Sequence, residues 1–338
     1  MSTAAVPTPI SDDVASTSLH SGRREGWMFR AVCGGAAWSS VAMLVLLLST
    51  ILWMGAGRLS WDFLTRYDSA VNPDKAGVLA GLWGSFWLMI LTMLLSVPVG
   101  VGAAIYLEEY ASENWLTRLI RINLANLAGV PSIVYGILGL TAVVRMFGVF
   151  DGTSVQAINL LGVRVPLPLG SCVLSGALTL GLLVLPVVIV ASQEALRAVP
   201  SSIREASFAL GATKWQTIRH QLLPASLPGI LTGVILAVSR AVGETAPLIM
   251  VGAAVFYRHS PGGIESPWQL ITSPGGLTRA PFDDYTALPM VVYNWAKQPT
   301  EAYQYAAAAG IVVLLVSLLV LNALAIYIRN RYQRRMAS

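Results

Sequence analysis

The chain has 338 residues, of which 55% are hydrophobic and only 12% charged, with a net charge of +5 and two cysteines. Soluble domains carry about 25% charged residues, so this composition excludes an ordinary soluble protein and describes a membrane chain. The basic balance is then a question of topology, with no nucleic-acid partner implied, and Cys33 and Cys172 lie in or beside apolar runs without a ligand pattern, so neither a metal nor a disulfide follows.

Residues 1–26 are rich in Ser, Thr, Ala and Pro and lack hydrophobic periodicity, which predicts a disordered tail ending at Arg23-Arg24. A cleavable signal peptide is excluded by the long polar lead and by an apolar run of spanning length behind it. Six runs, at about 31–54, 78–107, 125–147, 172–192, 225–251 and 305–328, each approach the roughly 20 residues of a bilayer crossing. They predict an all-α, polytopic membrane protein with six transmembrane helices. A first span and loop (27–76) precede a membrane domain at 77–331, and 332–338 form a short tail.

The second run is too long for one straight crossing, and Pro98 with Gly100, Gly102 and Ala103 predicts a kink or tilt. The connection 108–121 is short and polar, and no task for it can be read from its residues. In the third run Ser132 and Tyr135 offer hydroxyls that suit an anion in transit. Alternatively, Pro131 and Gly136 only shape the helix while Tyr135 bonds a neighbour.

Residues 200–224, PSSIREASFALGATKWQTIRHQLLP, are polar and punctuated, yet lie between two apolar runs. Ser202 with Glu205, and Thr213 with Gln216, have the spacing of capping boxes. Gly211 stands where a first short helix needs positive φ, and Pro224 is expected to stop a second. The reading is helix, tight turn, helix, with Ile203, Ala206, Leu210, Trp215, Ile218 and Leu222 available to pack. An ordered loop of this kind docks onto a partner; the alternative is an amphipathic interfacial loop in which Glu205 caps its own helix.

The fifth run holds Arg240 and Glu244, the only formally charged residues deep in a span. At i,i+4 they share a face and can pair, and such groups face a cavity or the bundle interior. Either they neutralise each other and pin the helix, or Arg240 offers a bidentate fork to a tetrahedral oxyanion. Glu244 would then orient Arg240, or accept a hydrogen bond from a protonated phosphate oxygen that sulfate lacks at neutral pH. Gly243 and Pro247 would let the helix deform there. The candidate pathway set is Arg240, Glu244, Thr245, Ser132 and Tyr135. Beyond it, the connection 252–304 carries Trp268, Tyr285, Tyr293 and Trp295, as interfacial anchors or as a docking surface.

Six spans put both termini on one side. That side collects Arg23, Arg24, Arg30, Arg118, Arg121, Arg197, Arg204, Lys214, Arg219, Arg329, Arg331, Arg334 and Arg335. Opposite, despite longer loops, lie Arg58, Arg66, Lys75, Arg145, Arg164, Arg258, Arg279 and Lys297. The positive-inside rule therefore predicts a multi-pass plasma (inner) membrane protein with both termini and 200–224 in the cytoplasm, and 252–304 outside.

Several of these stretches carry a resemblance. Glu205-Ala206-Ser207, Gly211 and Leu223-Pro224 are similar to the EAA loop of ABC importer permeases, with Gln221 in place of a usual apolar residue. Ser239 to Leu248 (SRAVGETAPL), Asn126 to Gly136 (NLAGVPSIVYG), and Leu288-Pro289 through Tyr293 and Trp295-Ala296 resemble the PstA-type permease subunit of phosphate-specific importers. The resemblance implies a type I ABC importer permease fold and a non-catalytic subunit. It implies coupling through Glu205, Ala206, Ser207, Gly211 and Pro224 to two copies of a separate ATPase subunit, which would hold ATP and Mg while this chain binds no cofactor. It also implies a PstC-type sister permease and an extracytoplasmic phosphate-binding protein. No P-loop sequence occurs in the chain, in keeping with a borrowed ATPase. The rivals are a permease for another oxyanion (sulfate or molybdate) and a stand-alone anion carrier or channel. An intramembrane enzyme is disfavoured, because His20, His220 and His259 all fall outside the spans.

Overall fold

The computed structural model describes residues 12–146, 156–160, 163–253 and 259–337. The first helix, α1 (Asp12–Ala56), belongs up to Trp53 to a unit of its own. It begins inside the segment read as a disordered tail. Extending a helix already nucleated by the apolar run adds one hydrogen bond per residue fixed, so the polar lead 12–26 continues it. Residues 1–11 of that tail lie outside the described residues. From Trp27 to Ala56 the helix is long and apolar enough to cross a membrane.

The second unit starts with α2 (Trp61–Thr65), capped by Ser60, whose Oγ accepts the Phe63 N–H at 3.2 Å. The helix α3 (Leu79–Ile105) runs on through Pro98 and widens into a π-helical turn at Tyr106–Tyr110. Next come α4 (Trp115–Leu127) and α5 (Ser132–Leu138), the latter extended by a π-helical stretch at Gly139–Val144. An antiparallel hairpin of β1 (Gln156–Leu160) and β2 (Val163–Leu167), with Gln156 opposite Leu167, is a small addition to the expected all-α architecture. Then follow α6 (Val173–Arg197), α7 (Ser201–Ala209), α8 (Lys214–Thr217), a π-helical turn at Ile218–Leu222, α9 (Leu223–Gly243) and α10 (Ala246–Val251). The short α11 (Gln269–Thr272), α12 (Pro274–Arg279) and α13 (Leu288–Ala296) lead to the long α14 (Glu301–Ala337).

Among the described residues, five helices have the length and apolarity of a span: Trp27–Ala56, Leu79–Tyr110, Val173–Arg197, Lys214–Gly243 and Glu301–Arg331. The sixth, expected as a straight run over 125–147, is a pair of helices bent by 111° between Trp115–Leu127 and Ser132–Val144. The count of six holds with this pair as one span, but its shape differs from the expectation. Pro131 has no N–H for the ladder and disfavours α conformation at Val130, so the helix restarts with Pro131 as its N-cap. The amphipathic α4 begins at Trp115, inside the connection read as merely polar, because Asn114 caps it through the Thr117 N–H at 2.8 Å.

The core centres on α6, which packs between α3 and α9; Val173, Ala177 and Leu180 are fully enclosed. Small residues set the spacing. A Cβ on Gly229 would stand 2.7 Å from Ala195 Cβ, and one on Gly233 would overlap Ala191, four residues earlier on the same α6 face. Close backbone approach replaces hydrophobic driving force between helices in lipid. Ser175 and Thr179 on α6 satisfy their hydroxyls on backbone carbonyls, at 2.7 and 2.8 Å.

At the N-terminal end of α3 the packing is aromatic. Trp295 and Tyr285 are fully buried, which corrects the reading of all four loop aromatics as interfacial or docking groups; Trp268 and Tyr293 are exposed. Trp295 Nε1 donates to Asp68 Oδ1 at 2.8 Å, and the Tyr303 hydroxyl to Ser69 O at 2.7 Å. Each ring thus combines apolar burial with a polar anchor. Gly84 lies directly on the Thr286 carbonyl, where any Cβ would overlap it.

Candidate functional site: a helical elbow and a broken span

The stretch 200–224 folds into the expected helix, turn, helix. Gly211 has φ +78° and closes α7, with the Gly211 and Ala212 N–H groups bonded back to Phe208 O and Ser207 O. The second capping box forms in full: Gln216 N–H donates to Thr213 Oγ1 at 3.3 Å, and Thr213 N–H to Gln216 Oε1 at 2.8 Å. Ser207 and Thr217 join the two helices through a hydroxyl pair at 2.8 Å.

Three expectations fail here. The Ser202–Glu205 box does not form: α7 begins at Ser201 behind Pro200, so Ser202 is already helical and cannot be the N-cap. Glu205 is exposed and caps nothing. Pro224 does not stop the helix. The π-helical turn at Ile218–Leu222 precedes it, and Pro224 falls in the first turn of α9, where a missing N–H costs nothing. The apolar residues also divide. Ile218 and Leu222 are buried, whereas Leu210 and Trp215 are 89% and 54% exposed, and Ala206 is exposed. Ile203, Ala206, Leu210, Gln216 and His220 line an open groove of ≈ 540 Å³. The elbow is therefore ordered, with a free apolar rim and a free carboxylate.

The second site lies where α9 ends. Glu244 has extended backbone (φ −77°, ψ 115°), and helix resumes at Ala246 with Pro247 in its first turn, so the span breaks where Gly243 and Pro247 allowed it to. Arg240 Nε stands 3.5 Å from Glu244 Oε1, with side-chain exposures of 42% and 19%. The contact is long, and the two Nη groups of Arg240 make no hydrogen bond among the described residues. Ser239 ties this end of α9 to α14 through Asn322 Oδ1 at 2.7 Å.

Across from the break, α5 packs on α10 at glycine distance: a Cβ on Gly136 would be 2.7 Å from Pro247 Cα. The structure thus brings Ser132 and the Tyr135 hydroxyl onto the element that packs beside the break at Arg240, Glu244 and Thr245. That hydroxyl is committed, however. Tyr135 is buried and donates to Leu127 O at 2.8 Å, across the bend between α4 and α5. Of the two readings for Tyr135, bonding to a neighbour is the one observed. Ser132 and Thr245 are half-buried.

One group of residues was missed altogether. The π-helical turn at the end of α3 meets a different element with each of four successive residues. Leu107 O accepts from Arg121 Nη2 on α4 at 2.9 Å. Glu108 pairs with Arg197 at the end of α6, and Glu109 with Arg204 on α7, both at 2.9 Å. The Tyr110 ring lies under Lys214 of α8, with Nζ 5.2 Å from its centroid. The available signal was complementary charge: Glu108 and Glu109 close one apolar run, and Arg197 and Arg204 follow another.

Comparison with known proteins agrees with this architecture. Residues 96–338 match the family described as binding-protein-dependent transport system inner membrane component. A probable ABC transporter permease of Bacillus subtilis, YqgI, is 31% identical over 88% of this chain and 92% of its own length. The phosphate transport system permease protein PstA of Yersinia pestis is 30% identical over 83% of this chain and 82% of its own. In fold, the chain is similar to a subunit of the bacterial alginate ABC transporter crystallised with its alginate-bound periplasmic protein. That likeness has a TM-score of 0.59 and 14% identity over 91% of this chain and 96% of the other.

Proposed function

The chain belongs to the binding-protein-dependent transport inner membrane component family, as an ABC permease of the PstA type, and we propose that it carries inorganic phosphate into the cell. In this reading it pairs with a PstC-type sister permease. Two copies of an ATPase subunit hold ATP and Mg and grip the elbow from the cytoplasm, and an extracytoplasmic binding protein delivers phosphate. The observation that carries the proposal is the elbow itself: two helices locked by Gly211, a capping box and a hydroxyl pair, yet presenting Glu205, Ala206, Leu210 and Trp215 outward. A rigid element with an unsatisfied apolar rim is a docking part.

The arginine balance supports the cytoplasmic placement of the elbow and both termini. The substrate is supported by the name of the Yersinia relative and by Arg240, which keeps its bidentate fork free beside a break in the span. Glu244, 3.5 Å from Arg240, either orients the guanidinium in the empty pathway or accepts a hydrogen bond from a protonated phosphate oxygen. Transport proceeds by alternating access. ATP binding closes the ATPase pair, the elbow follows as a lever, and the break around Arg240 changes the side it faces. Nucleotide drives this only through differential affinity for the two states.

Reconstitution with and without the ATPase and binding protein, following labelled phosphate, tests the proposal. Uptake that requires both partners is expected, and uptake by this chain alone would sink it. Glu244→Gln should lose discrimination against sulfate; unchanged selectivity would remove the role of accepting a hydrogen bond from protonated phosphate.

A further inference from the structure

The elbow's first helix poses a mechanical question. No residue of α7 is buried, so apolar packing does not hold this helix to the spans. A lever needs a joint, and the strongest one available is a single guanidinium. Arg204 donates from Nε and Nη2 to Glu109 Oε1 at 3.2 and 2.9 Å, from Nη1 to Val199 O at 2.9 Å, and from Nη2 to Leu196 O at 3.0 Å. It therefore satisfies a last-turn carbonyl of α6, the Val199 carbonyl just beyond that helix and the carboxylate closing α3 at once, from inside α7. The pair is largely enclosed, with side-chain exposures of 22% for Arg204 and 11% for Glu109.

Through the neighbouring residues of the same π-helical turn, that joint also reaches α4, by Arg121 on Leu107 O. In turn α4 continues across the 111° bend into α5, whose Gly136 rests on Pro247 beside the broken span. Every link is a direct contact between folded elements. The turn is also π-helical, a geometry that turns successive side chains toward different neighbours and recurs at functional sites.

We propose that Glu109 and Arg204 are positioning residues for transport, forming the joint through which movement of the elbow is passed to the α3–α4 end and on to the broken span. The inference rests on the reading of this chain as an ATP-driven permease, and deepens it by naming where drive enters the spans. Without the joint, α7 moves with the ATPase while the spans stay still, so nucleotide is hydrolysed without transport. A purely structural pair would behave differently, with hydrolysis and transport falling together as assembled complex is lost.

The test uses the complete assembly in membrane vesicles, with Glu109→Gln, Arg204→Lys and the double variant, and Asp62→Asn, which breaks the exposed Asp62–Arg66 pair at α2, as a control. Glu109→Gln leaves the carbonyl bonds of Arg204 in place, and Arg204→Lys keeps the charge but not the fork. ATP hydrolysis and uptake of labelled phosphate are measured together, with sulfate and molybdate in parallel arms. Wild-type uptake in those arms tests the substrate. The anion moved per ATP, taken in whichever arm the wild type transports, tests the joint. The expected result is hydrolysis within about twofold of wild type and at least a tenfold fall in anion per ATP in both single variants. The double variant should be no worse than the poorer single, as for residues acting as one unit, and Asp62→Asn unchanged. An unchanged ratio in the single variants overturns the joint, whether both rates fall or neither does. If Glu109→Gln fails to assemble with the ATPase, Arg204→Lys carries the comparison; failure of both assigns the pair a structural role and overturns the proposal.

Discussion

The two ends of α3 each sit in a buried apolar core but hold their outermost neighbours by different means. At its N-terminal end, Gly84 seats backbone on backbone at Thr286, Trp295 is sealed in one core against Asp68, and Tyr285 is buried in another. At its C-terminal end a small apolar core of Ala104, Leu107, Ile189, Leu196, Ile218 and Leu222 is rimmed by ion pairs and a cation over a ring, and the elbow helix α7, with no buried residue, is held from that rim. Packed cores deform little, because any shift opens a void or a clash. Partly exposed ion pairs can lengthen, exchange with water and re-form in another register. The first end has the construction of a fixed bearing and the second that of a moving joint.

The sharpest way to break this contrast is Gly84→Ala. An added Cβ would overlap the Thr286 carbonyl, a backbone atom that cannot rotate away, so the loss should reach about 3 kcal/mol or more. Thermal unfolding of the purified protein measures it, and a near-neutral result would show that the bearing yields. Trp295→Phe comes next. It keeps the apolar ring but leaves Asp68 without its indole donor, at a cost of about 1.5–3 kcal/mol. At the moving end, Gly211→Ala should cost only about 1–2 kcal/mol, because its penalty is the left-handed backbone alone and no atom lies within 4 Å of the new Cβ.

Asp68 gives the bearing a pH signature. Burial pushes its carboxyl above the usual carboxylate range, against the opposing hydrogen bonds from Trp295 and the Ser69 N–H. The folded state then holds the proton more tightly than the unfolded one. Its contribution to stability is complete below the ordinary carboxylate pKa of about 4 and is lost as pH rises through the raised folded value. Asp68→Asn should flatten that part of the melting profile. A variant whose stability still falls from pH 4 to neutral as steeply as the wild type would assign the slope to other groups.

Much of this could be read from local pattern. Span positions follow apolar runs, Gly211 follows from the αL requirement, the Thr213–Gln216 box from spacing, and the break near Glu244 from Gly243 and Pro247. Failures arose where a neighbour decided the outcome. Pro200 moved the start of α7 by enough to void the Ser202 cap, and a π-helical turn absorbed Pro224. The Glu109–Arg204 pair spans 95 positions and the Trp295–Asp68 bond 227, distances at which no helical or strand period carries information. Tyr135 reads as a pathway hydroxyl until the bend folds Leu127 O back onto it.

The smallest expected change in stability is at Glu205, and there the contrast becomes most informative. Its side chain is exposed and has no hydrogen bond or ion pair among the described residues, so Glu205→Gln should alter unfolding by no more than about 0.5 kcal/mol. If the carboxylate exists for a partner, the same substitution should nevertheless cut ATP-driven phosphate uptake severely, while the chain still accumulates in the membrane. A residue that contributes nothing to its own fold and much to transport acts across an interface. Normal uptake by the Gln variant would leave the elbow's apolar rim as its sole grip on the ATPase. A large loss of stability would instead place Glu205 in the fold and remove it from the docking surface.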